Sequence, residues 1–140
     1  MVDSKKAARF FSDVLTEAAK VSGSAIAASA SSLAYRVNAK YILVGTKTGN
    51  TAKLVSSFRP SSKIVAIVHD EQTRNQLALA WGVESVLVEP NKDIEQFIAN
   101  AVENLRSSFN VEINDKIVII VGATPGISGE TDTIKVLTYK

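Results

Sequence analysis

YILVGTKTGNTAKLVSSFRP, residues Tyr41–Pro60, joins an apolar run, a polar turn and a helical segment, and this order decides the fold class. The YILV run is apolar at consecutive positions, which is typical of a strand buried on both faces. Glycine and small polar residues follow as a turn, and a helical pattern then runs from Asn50 to Phe58, where Pro60 prevents its continuation. The stretch therefore predicts a strand, a turn and a helix, the first part of a βαβ unit.

The same alternation continues to the end of the chain. Apolar runs KIVAIVH, SVLVEP and KIVIIVGA alternate with helical patterns at Glu71–Trp81 and Asp93–Ser107. Strands separated by helices indicate a mainly parallel sheet that is covered on both faces, so the predicted class is α/β. The final run, TIKVLTY, alternates in polarity like an edge strand. Since the connection before it is short and contains Pro125, Gly126 and Gly129, we predict that this strand is antiparallel to its neighbour.

A helical lead-in over about residues 3–38 precedes an αβ core over about residues 39–140, and together they are predicted to form one domain over residues 1–140. The lead-in contains two stretches with apolar residues at helical spacing, separated near Gly23. The residues predicted to face inward in the second stretch are Ile26, Ala30, Leu33, Ala34 and Val37. Its surplus of alanine and serine predicts close packing of the helix on its neighbours.

The composition fits a globular domain and excludes several classes of function. The chain has 140 residues, 46% of them hydrophobic and 21% charged, and a net charge of +2. That charge is too small for a nucleic-acid footprint, so no nucleic-acid partner is expected. Without cysteine and with one histidine, the chain has no Cys/His set for a structural zinc ion. No run approaches the ~20 apolar residues of a membrane span and no signal peptide is evident, so we expect a cytoplasmic protein without a membrane partner.

Ligands of open parallel sheets bind beyond the carboxyl ends of the strands, where the strand order reverses. Two loops of this sequence compete for that place: Thr46–Thr51 after the first strand and Gly122–Thr133 after the fourth. If the first strand is central and pairs with the fourth, right-handed crossovers bring the two loops side by side. The sequence therefore predicts one cleft that both loops line.

The turn Thr46–Thr51 has the chemistry of an anion site. It places three threonine hydroxyls, Lys47 and Gly49 at the start of a helix, where free backbone N–H groups favour a negative charge. A phosphate monoester fits these groups. The alternative interpretation is that Thr48 or Asn50 only caps the helix and that Gly49 only turns the chain. The turn has neither a Walker motif nor the glycine pattern of dinucleotide-binding folds.

Three motifs resemble one family in their order and spacing: TKTGNTAKLVSSFRP, IVAIVHDEQTRNQLALAWGV and GATPGISGETDTIKV. On these motifs the chain resembles the C-terminal α/β domain of pyruvate kinase, a phosphotransferase of glycolysis, most strongly from about Tyr35 to the end. The resemblance implies a three-layer α/β/α sandwich whose five-stranded sheet has an antiparallel last strand. It also implies a regulatory domain without catalytic residues, metal or cofactor, because the phosphoryl-transfer site of that family belongs to a separate barrel domain.

The resemblance further implies an effector site made of the threonine-rich turn and a second loop that closes over the effector. The positions that inherit the phosphate-binding role are Thr46, Lys47, Thr48, Gly49, Asn50 and Thr51. The positions of the closing loop are Thr124, Pro125, Gly126, Ile127, Ser128 and Gly129. Animal and fungal members carry a Trp and an Arg near the start of this loop, whereas this chain has neither and adds Glu130 and Asp132. We therefore expect a monophosphate or nucleotide effector rather than a bisphosphate.

Five further positions attract attention. His69 is either an acid or base that lines the cleft or an ordinary loop residue. The second interpretation is favoured, because no nucleophile accompanies His69 by spacing. Asp70 is predicted to cap the next helix, with Glu71 as an acid in its first turn. Arg59 is expected to form a salt bridge at a helix end or to reach a partner subunit, and Trp81 to be a core or interface anchor.

Three functions remain open at this point. The first is a non-catalytic regulatory domain that binds a sugar phosphate or nucleotide and contributes to subunit assembly; the isolated chain is then not an enzyme. The second is an assembly module whose Ala/Ser-rich helix dimerises while the anion cleft stays empty. The third is a small enzyme that acts on a phosphorylated metabolite with His69 as base. The expected partners are a phosphorylated small molecule and either copies of this chain or the catalytic domains of a pyruvate kinase.

Overall fold

Helices and strands alternate along the residues that the computed structural model describes, 24–46, 48–89, 94–121 and 133–140. The helices are α1 (24–37), α2 (Asn50–Ser57), α3 (Glu71–Leu77) and α4 (Ile94–Ser108). The strands are β1 (Tyr41–Gly45), β2 (Lys63–Val68), β3 (Val83–Leu87), β4 (Lys116–Val121) and β5 (Thr133–Thr138). The first helical stretch of the predicted lead-in lies outside these residues. Among the described helices, none combines the length and the apolar composition that a bilayer span requires.

The five described strands form one mixed sheet in the order β3-β2-β1-β4-β5. β1 lies at the centre and pairs in parallel with β2 on one side and with β4 on the other. β3 extends the parallel part beyond β2, and β5 runs antiparallel to β4 with Val136 opposite Val118. The predicted α/β class and the antiparallel last strand are therefore confirmed, and the assumption that β1 is central and pairs with β4 holds.

Alternate side chains of the strands divide the core into two clusters, one on each face of the sheet. The first cluster joins strand residues to the three N-terminal described helices through Ala30 of α1, Val55 of α2 and Leu77 of α3. The second joins the opposite set of strand residues to α4 through Phe97 and Leu105. Helices thus cover both faces, as the predicted three-layer sandwich requires, and each fully buried aliphatic side chain contributes about 1.5–3 kcal/mol to the free energy of unfolding.

α1 packs on the sheet through small side chains. Ala27, Ala30 and Ala34 are its buried hydrophobic residues, each at most 1% exposed. The larger residues predicted to face inward pack at the margin of the same cluster and are partly buried: Ile26, Leu33 and Val37. The predicted inward face is confirmed, and the methyl side chains let the helix backbone approach the sheet closely.

α1 ends in a motif made of backbone hydrogen bonds. The N–H of Ala39 donates to the carbonyl of Ala34 at 2.8 Å, and the N–H of Asn38 donates to the carbonyl of Tyr35 at 3.2 Å. Asn38 itself lies in the left-handed region with φ 56°. This is the bond pattern of a Schellman motif, in which glycine or asparagine takes the left-handed position. The motif turns the chain from α1 into β1 within three residues of Asn38.

The predicted end of α3 and both predicted ends of β3 are wrong. α3 ends at Leu77 rather than at Trp81, because the chain tightens into a turn in which Gly82 adopts φ 66°. β3 spans Val83–Leu87 rather than Ser85–Pro90, because these five residues pair with the five strand residues of β2 from Ile64 onward. The apolar residues beyond Leu77 prolonged the helical pattern in the sequence without belonging to the helix.

Candidate anion-binding site

The turn Thr46–Thr51 leaves the carboxyl end of β1, the central strand of the sheet. From β1 the chain passes through α2 to β2 on one side, whereas β4, on the other side, is reached only after β3. The strand order therefore reverses between β1 and β4, which is where open parallel sheets bind ligands. The described part of the turn lies at this reversal.

Thr46 fastens the turn. Its backbone N–H donates to the carbonyl of Ile67 at 3.2 Å, which extends the pairing of β1 with β2 by one residue. Its hydroxyl oxygen accepts from the N–H of Gly49 at 2.9 Å, and the side chain is 7% exposed. The Gly49 amide is thus engaged within the turn and is not offered to a ligand. The sequence predicted Thr46 as a phosphate-binding residue and contained no sign of this internal bond.

Gly49 is the residue that begins α2. It adopts φ 89° and ψ −8°, and no side chain caps the helix at this position. Its carbonyl accepts the first helical bond, from the N–H of Lys53 at 3.0 Å. A Cβ at Gly49 would lie 3.2 Å from Cδ2 of Leu77, so glycine suits both the backbone angle and the space. The interpretation in which Thr48 or Asn50 caps the helix is therefore wrong, because the N-cap residue is Gly49.

Two side chains of the turn face solvent at the start of α2. Thr48 and Asn50 are exposed, and Thr51 is partly buried. The Thr48 hydroxyl accepts from the N–H of Asn50 at 3.4 Å, a long and exposed hydrogen bond that a stronger acceptor can replace. No acidic residue occupies the first turn of α2, so no carboxylate of the helix itself offsets its positive N-terminal dipole. Lys47 lies outside the described residues.

The second predicted loop, Thr124–Gly129, lies outside the described residues. The strand that leads to it ends beside the turn, because Val44 of β1 is opposite Ile120 of β4. One residue further, a Cβ at Gly45 would come within 3.3 Å of Val121 and 3.0 Å of the Phe97 ring. The chain thus leaves β4 next to the end of β1, as expected for a shared cleft, and the position of the loop itself stays a prediction.

His69 follows β2 and contacts α4, the helix that covers the face of the sheet opposite to α2. Its Nδ1 lies 2.8 Å from the carbonyl of Val88, which only accepts, so Nδ1 carries the hydrogen. The ring meets Phe97 edge-on with the ring centres 6.0 Å apart. Phe97 belongs to the cluster beneath α4, whereas α2 covers the opposite face. The Val88 carbonyl thus engages one ring nitrogen of His69, which favours the loop-residue interpretation over that of an acid or base in the cleft.

Asp70 caps α3, as predicted. Its Oδ1 accepts from the N–H of Thr73 at 2.7 Å, and Glu71 follows in the first turn of the helix. The hydrogen bond from the Thr73 amide is the largest cause that lowers the pKa of Asp70 below its ordinary value, and the Thr73 hydroxyl adds to it. Within the described residues, no group of three His, Cys, Asp or Glu side chains is placed to hold a metal ion.

The family model of the pyruvate kinase alpha/beta domain matches residues 24–137, which include the candidate turn, β1 to β4 and all of β5 except its last residue. The chain belongs to this family. Pyruvate kinase of Staphylococcus epidermidis is 35% identical over 112 residues, and that of Staphylococcus aureus is 33% identical over the same length. The family shown is thus the one that the three sequence motifs resemble.

The pyruvate kinase relatives are much longer than this chain. The matched region covers 80% of this chain but 19% of the two staphylococcal enzymes. A crystal structure of a pyruvate kinase from Cryptosporidium parvum superposes with a TM-score of 0.74 at 31% identity and covers 85% of this chain and 23% of that one. The fold is therefore that of one part of these enzymes.

Proposed function

We propose that this pyruvate kinase alpha/beta domain is a non-catalytic regulatory module that binds a phosphorylated small molecule at the turn Thr46–Thr51. The observation that carries the proposal is the start of α2, where Thr48 and Asn50 are exposed and no acidic residue occupies the first turn. A helix N-terminus of this kind favours a dianion through its dipole and its N–H groups. Its position at the reversal of strand order supports the same role.

Five of the six residues of the turn have distinct roles in this proposal. Thr46 and Gly49 hold the shape, because their hydrogen bond is buried and internal. Thr48 donates its hydroxyl hydrogen to a phosphate oxygen, and Asn50 contributes the N–H that the Thr48 hydroxyl now holds at 3.4 Å. Lys47 adds a positive charge by its place in the sequence. Hydrogen bonds to a charged acceptor are worth about 1.5–3 kcal/mol each, so two of them select a phosphate over neutral solutes.

The loop Thr124–Gly129 closes over the bound effector in this proposal. Its glycines permit the backbone changes that closure requires. Glu130 and Asp132, which follow it, repel a second phosphate, so the preferred ligand is a sugar monophosphate or a nucleotide. Closure regulates a partner, whether another copy of this chain or the catalytic domains of a pyruvate kinase, provided that the effector binds one of two arrangements more tightly.

An assembly module with an empty cleft is the second candidate. The buried bond between Thr46 and Gly49 favours it, because a turn that satisfies its own donors needs no ligand. An enzyme with His69 as base is the third candidate, and the contact of His69 with Val88 argues against it.

Thermal unfolding with a panel of inorganic phosphate, glucose 6-phosphate, AMP, ATP and fructose 1,6-bisphosphate tests the proposal. A ligand at ~100 times its dissociation constant adds ~2.7 kcal/mol to the free energy of unfolding. We expect stabilisation by a monophosphate or nucleotide that the double variant Thr48→Ala/Thr51→Ala loses. The control variant Ser107→Ala/Ser108→Ala at the end of α4 keeps it.

The same experiment separates the other candidates. Absence of stabilisation by every ligand, together with a concentration-dependent dimer in sedimentation, would establish the assembly module instead. Turnover of a phosphorylated metabolite that disappears in His69→Ala would establish the enzyme.

A further inference from the structure

We draw no further inference here: the strongest candidate, the apolar surface patch at the β3 edge of the sheet where Leu79, Trp81 and Leu87 are exposed, carries no proposal, because nothing in the structure shows what covers it.

Discussion

Gly49 and Thr46 together determine the geometry of the candidate turn at the level of single residues. Gly49 supplies a left-handed backbone, and Thr46 supplies the hydroxyl that holds it there. Neither role needs a ligand. The exposed side chains of Thr48 and Asn50 can therefore change their contacts without disturbing the bond between Thr46 and Gly49.

Replacement of Gly49 by alanine tests the constraint. We expect Gly49→Ala to lower the free energy of unfolding by about 1–2 kcal/mol for the left-handed backbone, with a further loss for the contact 3.2 Å from Leu77. Gly82→Ala is the matched control, because Gly82 has φ 66° and no atom within 4 Å of an added Cβ. Urea unfolding measures both. Equal losses would show that Leu77 yields without cost.

Asp70 makes stability depend on pH. Its pKa is lowered in the folded chain from the ordinary value of 3.8, chiefly by the Thr73 amide, so its stabilising effect is complete above the unfolded pKa. The effect is lost as the pH falls through the lower folded pKa. Asp70→Asn keeps a capping oxygen and does not titrate. We expect the melting temperature of the original chain to fall relative to that of Asp70→Asn below about pH 4. Melting temperatures of the two chains that depend on pH in the same way would contradict this.

The sequence predicted a turn at the start of a helix over Thr46–Thr51, but it did not predict the separate roles of the residues in it. Glycine and threonine at a helix start indicated the location, because these residue types favour turns and anions. The hydrogen bond from Gly49 to Thr46 depends on how far β1 extends, since pairing with Ile67 sets the position of the Thr46 hydroxyl. That extension is a tertiary property, which the residue pattern does not contain.

At the scale of elements, the end of α1 shows how one residue directs a chain into the sheet. Asn38 takes the left-handed position, and Ala39, 7% exposed, packs beneath the end of the helix. Because this ending leads directly into the central strand, its stability is coupled to that of the sheet.

Substitution of Asn38 probes this ending. A β-branched residue is strained at φ 56°, so we expect Asn38→Val to lower the free energy of unfolding by about 1–2 kcal/mol. Asn38→Gly should stay within about 1 kcal/mol of the original chain, because glycine accepts the angle but orders at a greater entropic cost. Arg36→Val, on the exposed side of the same helix, is the control and should cost only about 0.5 kcal/mol. Chemical denaturation measures the free energy of unfolding of the three variants. Equal decreases for the two valine variants would contradict the expectation.

Element boundaries were predictable where an apolar run ends at polar residues or glycine. They were not predictable where the apolar spacing continues beyond the end of the element. β1, β2 and β4 stand out as apolar runs that polar residues or glycine delimit. The end of α3 was missed because Leu79, Ala80 and Trp81 continue the apolar spacing, although Leu79 is 96% exposed. Only the pairing of β3 with β2 shows that these residues form a turn.

At the scale of the whole molecule, the alternation of strands and helices sufficed to predict a mainly parallel sheet with an antiparallel last strand, whereas the central position of β1 entered only as an assumption. Right-handed crossovers leave few alternatives once the central strand and the antiparallel last strand are chosen. The exposure of Tyr35, Phe58 and Trp81 was not predictable in the same way. Tyr35 lies in the last turn of α1 and the other two follow α2 and α3, and their exposure depends on how these helices end.

The buried hydrogen bond between Thr46 and Gly49 has a kinetic consequence. Because this bond is made without an occupant, a phosphorylated ligand that binds as proposed needs no slow rearrangement of β1 or α2. Differences in affinity among candidate metabolites would then arise almost wholly from how long each one stays bound.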